Sequence, residues 1–352
     1  GLDANANVSG SRHGFDMQNL HRNKRSITLN LKHPDGKALF LDLARHADVV
    51  VENFRPNVKT RLGIDYDALH AVNPRIILAS ISGFGQDGPY ENKAGFDQIA
   101  QGMGGLMGVT GFPGQAPMRA GTAVADLSAG LYAATGILVA LAEREKSGEG
   151  QWVQTSLLQA QIAIMDFQAA RYLIDGEVPE QAGNDHPTVT PMGVVATSDG
   201  HINLGVGGDG QWRALCQALD HPEWGEDPAY AQVADRTARR EEIWSLLRPI
   251  FATRTSAEWI EILDTNGVPA GPIYRMNEVF DDPQVQHLGI AQSVMHPERG
   301  EVQLVGQPVD LSRTPASLRT ATPEAGEHTD EILLDYGIDA ERISALRASG
   351  AI

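Results

Sequence analysis

Cysteine is almost missing from this 352-residue chain, where Cys216 is the only one. A single cysteine excludes an internal disulfide framework and any thiolate-cluster metal site, and it fits a reducing, cytoplasmic setting. Basic charge is scarce as well. Lys and Arg number 28 against 45 Asp and Glu, a formal charge of -17. That balance argues against a nucleic-acid binder, because neutralising phosphates takes a basic face. No apolar run approaches the ~20 residues that span a bilayer, so no membrane role is expected. The opening GLDANANVSGSR lacks the basic, apolar and small-residue stages of a secretory signal. Zinc signatures, a P-loop, a nucleophile elbow and a dinucleotide-type GxGxxG opening a helix are all absent. The glycine-rich GVGGDG (205–210) follows a hairpin-like run without βαβ context and reads as a turn before it reads as a phosphate cradle. Neither a metal nor a permanently bound cofactor is expected.

What is present is ordinary globular material, 42% hydrophobic and 21% charged, in a chain long enough for more than one domain. SITLNL (26–31) alternates like a strand, and HPDGKALFLDLARHA after it reads as a helix. DVVVENF (48–54) and RIILASISGFG (75–85) are buried-strand runs flanking a helix over 65–72. Strands and helices in alternation predict a parallel α/β sheet, whose ligands gather beyond the carboxyl ends of the strands. Asn53, Phe54 and Arg55 occupy such a position. From 95 to 150 the pattern becomes small-residue-rich helix, with a long helix over 126–150 that Ser147-Gly148 ends. A second helix is expected from Thr155 to Leu173. The stretch 174–192 holds Gly176, Pro179, Gly183, Pro187 and Pro191, and reads as a linker. A hairpin over 193–207, amphipathic helices over 209–264 and a strand at 268–274 make a smaller α+β unit. A strand pair around 291–305, a helix over 327–336 and a short C-terminal helix complete the chain.

Two acids stand out. Asp126 begins the long helix after the small, apolar approach Ala120 to Ala125. As an N-cap it would accept backbone N–H bonds. As a reactive group it would use the same place, since a helix N-terminus favours the ionised form and only the anion attacks a carbonyl carbon. Both readings stay open on position alone. Asp97, in AGFDQ, lies beside a glycine-rich segment and reads as a surface carboxylate before it reads as a site acid. His186 sits in the linker, where a loop role is the simpler one. Arg22, Lys24, Arg25, Lys32, Lys37, Arg55, Lys59 and Arg61 gather early in an otherwise acidic chain. Such a run is either a solvated surface or a local cradle for an anionic ligand.

Taken together, HRNKRSITLNLKHPDG, ADVVVENFRPNVKTRLG, NPRIILASISGFGQDGP, AGFDQIAQGMGGLM, the Asp126 segment, EKSGEGQWV, GVPAGPIYRMNEVFDDPQV and GEHTDEIL resemble the family III CoA-transferases, the group of formyl-CoA transferase, carnitine CoA-transferase and the α-methylacyl-CoA racemases. The resemblance runs nearly the length of the chain. It implies an α/β fold: a Rossmann-like large domain with a parallel sheet, built from both chain ends, plus a smaller α+β domain, in an interlocked homodimer. The large domain would take 1–173, the linker 174–192, the small domain 193–282, and the return and C-terminal part of the large domain 283–352. It implies Asp126 as nucleophile with Asp97 nearby, and coenzyme A contacts at Leu29, Lys32, Asn53, Phe54, Arg55 and Arg61. The substrates implied are an acyl-CoA and a small carboxylic acid.

Three departures qualify the resemblance. Family members begin with a strand, a tight turn and a helix upstream of the present Gly1, so a truncated chain is expected. The racemases carry His where this chain has Phe96, which removes one partner of a two-base proton exchange. The glycine-rich loop of formyl-CoA transferase has no clear equivalent after residue 174. The expectation is therefore an acyl-CoA:carboxylate CoA-transferase passing through an aspartyl anhydride and an aspartyl-CoA thioester on Asp126. The alternatives are a 2-methylacyl-CoA racemase and a non-catalytic CoA-binding paralogue.

Overall fold

The β-branched runs at 48–54 and 75–85 become β1 (Val49–Glu52) and β2 (Ile77–Ser82), which pair in parallel with Val49 opposite Ile77 and Glu52 opposite Ser80. β3 (Trp152–Ser156) adjoins β2, for a sheet order β1-β2-β3. The structure is a computed structural model that describes residues 14–352; the opening segment 1–13, with its reading as no secretory signal, lies outside them. Ile76, Ile77, Leu78 and Ala79 are wholly buried, as a continuous apolar strand covered on both faces requires. Contacts group the chain into two units, residues to Ala94 with Tyr132–Thr155 and Arg275–Ile352, and Gly95–Leu131 with Ser156–Tyr274. Against the expected division, 95–131 and 156–173 therefore group with the 193–274 region. A mixed α/β fold with a parallel sheet results.

In the first unit, the expected strand at 26–31 does not form. Its backbone is extended, but its donors go to side chains and to a chain end: Ser26 N to His328 Nδ1 at 3.2 Å, Thr28 N to Thr329 Oγ1 at 3.2 Å and Asn30 N to Ala351 O at 2.8 Å. With no neighbouring strand among the described residues, period-2 alternation has no ladder to join. The helix Pro34–Ala44 starts where Pro at its first turn and the cap by His33 Nδ1, which accepts from Asp35 N, place it. The strand pair is present as an antiparallel β7 (Ala291–His296) and β8 (Gly300–Val305).

The second unit carries the α+β part. β4 (Met192–Ala196) and β5 (His201–Gly205) form the expected hairpin, and β6 (Ala270–Pro272) adds antiparallel to β5. Trp212, Leu215, Trp244, Leu247, Phe251 and Trp259 from the helices over 209–265 pack with Ile202 and Leu204 into one core. The helix expected over 155–173 is two, Leu157–Ala163 and Asp166–Asp175. Asp166 at φ 45° breaks the run, a left-handed conformation that Asp tolerates better than most residues.

The helix Val124–Ser147 has 24 residues, and an 18-residue window of it reaches a mean hydropathy of 1.7 with 22% of the window buried. By length and composition it could cross a membrane, contrary to the expectation that no run comes close. The difference arises because Leu, Ile, Val and Ala between them outweigh the interspersed Gly, Ser, Thr and Tyr, and charge is confined to its two ends. One such helix is weak evidence for a membrane. Leu131, Leu138 and Val139 on it are exposed.

Gly36 tests how tightly the first unit closes on itself. A Cβ there would lie 2.3 Å from Asn30 O and 3.0 Å from Ala351 O, both backbone atoms that cannot rotate away. Gly36→Ala is expected to destabilise by roughly 1–3 kcal/mol through overpacking, despite alanine's better helix propensity. Urea denaturation of the two proteins measures it; equal midpoints would contradict this packing.

Candidate active site

The first backbone bond of the long helix runs from Leu127 N to Ala123 O, so Ala123 is its cap and Asp126 its third residue. Alanine has no side-chain acceptor for the exposed N–H groups of a helix start. Asp97 supplies one from elsewhere in the chain: its Oδ1 accepts from Ala125 N at 2.9 Å. The capping role open to Asp126 thus belongs to Asp97. Asp126 is left exposed, with its carboxylate uncommitted to capping.

Position predicts that the helix N-terminus favours the ionised Asp126. The net effect is the reverse. Desolvation by the surrounding chain raises its pKa above the ordinary aspartate value, and the nearby Asp97 charge raises it further. Burial and a like charge outweigh the helix end. A carboxylate raised in this way is more basic, hence a better nucleophile once ionised.

Asp97 is held in turn. It is 9% exposed, and its Oδ2 accepts from Gln101 Nε2 at 2.7 Å. Gln101 is fully buried, and the same Nε2 reaches Thr122 O at 3.1 Å while its Oε1 accepts from Ala120 N at 2.9 Å. Arg119 stands 3.8 Å from Asp97. One amide and one carboxylate therefore fix the backbone on both sides of the turn into the long helix. The sequence reading missed Gln101 and Arg119. A signal existed for Gln101, since Asp97 and Gln101 are spaced i,i+4 on a helix and share a face. Arg119 has no local pattern that marks it.

Asp97 and Asp126 belong to the second unit, and the six expected coenzyme A contacts belong to the first. Asn53, Phe54 and Arg55 leave the carboxyl end of β1, where Arg55 caps the helix Pro56–Leu62 and Arg61 closes its last turn. Phe54 N donates to Glu52 Oε2 at 2.7 Å, which sets the bend of this loop. Lys32 is exposed on the turn before the helix Pro34–Ala44. Leu29 instead packs partly buried against Leu39, Leu333, Ile343 and Leu346.

The early cations divide. Arg25 bridges Glu331 at 2.9 Å and Asp335 at 2.8 Å. Lys59 is neither a solvated charge nor an exposed one: it is 2% exposed and faces Glu52. Lys32, Arg55 and Arg61 are exposed, and among the described residues none of them makes an ion pair. His186 is a loop residue stacked on Phe167 at 5.6 Å between ring centres. Cys216 is buried and its thiol is pushed up to about 12, too high for a nucleophile at neutral pH.

The raised pKa of Asp126 has a consequence for stability. Its folded-state pKa lies above the unfolded value near 3.8, so its contribution is fully present below that value and is lost as pH rises through the folded pKa. Asp126→Asn is therefore expected to melt above the native protein at pH 7, with the gap closing towards pH 3. Thermal melts across that range check it. Gln101→Leu should lower stability by roughly 1–3 kcal/mol, because it leaves Asp97 Oδ2, Thr122 O and Ala120 N without their partner.

Known proteins resemble this chain along most of its length. The model of CoA-transferase family III matches residues 5–329. The chain is 41% identical over 319 residues to a succinate–glutarate CoA-transferase of Agrobacterium fabrum, covering 90% of this chain and 79% of that protein. It is 34% identical to a human succinyl-CoA:glutarate CoA-transferase, covering 95% and 76%. A crystal structure of a CAIB/BAIF family protein from Brucella suis superposes with a TM-score of 0.78 at 34% identity, covering 94% of this chain and 86% of that one. The chain belongs to CoA-transferase family III.

Proposed function

We propose that this enzyme is an acyl-CoA:carboxylate CoA-transferase working through covalent acylation of Asp126. The observation that carries the reading is an accessible carboxylate, raised in pKa, on a helix start that another acid caps. An Asp126 oxygen attacks the donor thioester carbon; the C–S bond breaks, giving an aspartyl mixed anhydride and CoA thiolate. The thiolate attacks the aspartyl carbonyl and releases the donor acid, leaving an aspartyl-CoA thioester. The acceptor carboxylate attacks that carbonyl and expels the thiolate. Thiolate attack on the acceptor's carbonyl then gives the new acyl-CoA and frees Asp126. Each step exchanges one acyl bond for another, so no net proton is consumed.

Coenzyme A binding is assigned to the loop Asn53-Phe54-Arg55 with Arg61, Lys32 and Leu29. The exposed guanidinium groups, which make no ion pair among the described residues, and the site's place beyond a parallel strand support it. The names of the relatives point to succinyl-CoA as donor and a dicarboxylate such as glutarate as acceptor. A Rossmann-like first unit and an interlocked homodimer belong to the same reading. Exposed Leu131, Leu138, Val139, Leu173 and Ile174 offer apolar surface for a second copy.

Mass spectrometry of enzyme quenched with succinyl-CoA should show an adduct on Asp126, and Asp126→Ala should lose turnover with a panel of carboxylates by roughly 10³-fold or more. Retained turnover would exclude the covalent route. Deuterium entering the α-carbon of a 2-methylacyl-CoA without any acceptor acid would favour the racemase instead. Since only ionised Asp126 attacks, the acid limb of kcat/KM should lie above that of an ordinary aspartate. Asp97→Asn, which removes the like charge, should move that limb to lower pH. A limb that stays in place assigns it to another group.

A further inference from the structure

Lys59 is a basic side chain with no surface to serve. It is 2% exposed, and Glu52 beside it is 8% exposed. An ammonium has three N–H groups. Lys59 Nζ donates to Gln86 Oε1 and to Pro56 O at 3.3 Å, the Trp152 ring lies 5.4 Å away, and the Glu52 carboxylate stands 3.5 Å off. The last of these is a contact of charges without hydrogen-bond geometry, since Glu52 Oε1 has no hydrogen-bond partner. The other oxygen, Oε2, holds Phe54 N at 2.7 Å. A buried carboxylate therefore sits directly beneath the loop that carries Asn53, Phe54 and Arg55.

Left alone, that carboxylate would do two things. It would repel an anionic ligand arriving at the loop, and it would draw in Arg55 or Arg61, both exposed and without an ion pair among the described residues. We infer that Lys59 is the internal counter-ion of Glu52, a positioning residue that lets a carboxylate brace the Asn53–Arg55 loop while Arg55 and Arg61 keep their charge for the phosphates of coenzyme A. The inference rests on the assignment of coenzyme A to this loop and adds to it why a lysine packed on the Glu52 side of the loop is not a ligand. Lys59 touches no ligand in this account. It sets the charge of the site through Glu52.

Four proteins test it, with CoA itself titrated by calorimetry and KM and kcat measured with succinyl-CoA. Lys59→Met leaves a net negative pair; CoA affinity should fall at least tenfold, with KM for the acyl-CoA rising and kcat moving far less. Glu52→Gln keeps an acceptor for Phe54 N and should bind CoA no more weakly than the native protein. The double variant Glu52→Gln/Lys59→Met is neutral again and should bind within threefold of native. Replacing both members of a buried pair is tolerated far better than removing one, so the double variant decides the matter even where Lys59→Met does not fold. A double variant tenfold weaker than native overturns the inference, because the hydrogen bonds of Lys59 and not its charge then matter. Native binding by Lys59→Met overturns it as well. Failure of the native chain to bind CoA removes the loop assignment and this inference together, which separates the two outcomes.

Discussion

A single hydrogen bond, from Ala125 N to Asp97 Oδ1, holds the arrangement on which the proposed chemistry depends. A helix start needs acceptors for its free N–H groups. Had Asp126 supplied one, its carboxylate would be turned back onto the backbone and its electrons engaged. Capping from a residue 28 positions earlier leaves Asp126 on the first turn, accessible and unengaged. Gln101 makes this possible by gripping Asp97 and the 120–122 segment at once, so that cap and helix cannot drift apart.

The same device sets the electrostatics. Desolvation by the surrounding chain is the larger cause, and a carboxylate that caps from outside adds a negative charge close to the one it spares. Both raise the pKa of Asp126. The folded state bears that cost at neutral pH in exchange for a more basic oxygen, a pattern in which local stability is given up where reactivity is needed. Cys216 shows the opposite outcome of burial. Sealed in the core, its thiol is raised so far that it is chemically silent.

Buried charge recurs in the first unit with a different purpose. Glu52 and Lys59 are enclosed together at the end of β1, whereas Arg55 and Arg61 remain exposed. Ion pairing inside the protein thus separates cations that hold the structure from cations open to a ligand. An acidic chain of net charge -17 can in this way still present a local positive patch.

Much of the fold was legible because it rests on local periodicity. The apolar runs of β1 and β2, the hairpin of β4 and β5, and the Pro34–Ala44 helix with its cap and proline are each written within one short stretch of chain. The 26–31 segment misled because alternation describes a strand's faces and says nothing of whether a partner strand lies alongside. The break at Asp166 was invisible because a left-handed residue other than glycine leaves no mark in composition. At the site, Asp126 and Asp97 could be singled out from chemistry and motif. Which of them caps and which is free could not. Lys59 read as one of eight gathered cations, although its burial against Glu52 sets it apart from Arg55 and Arg61. Sequence by itself determined most of the strands and helices and the residue types available for chemistry, since these follow from side-chain pattern along the chain. Only the tertiary structure decided which acid is spared and which cation is spent, because solvation and charge pairing depend on distances through space between residues far apart in sequence.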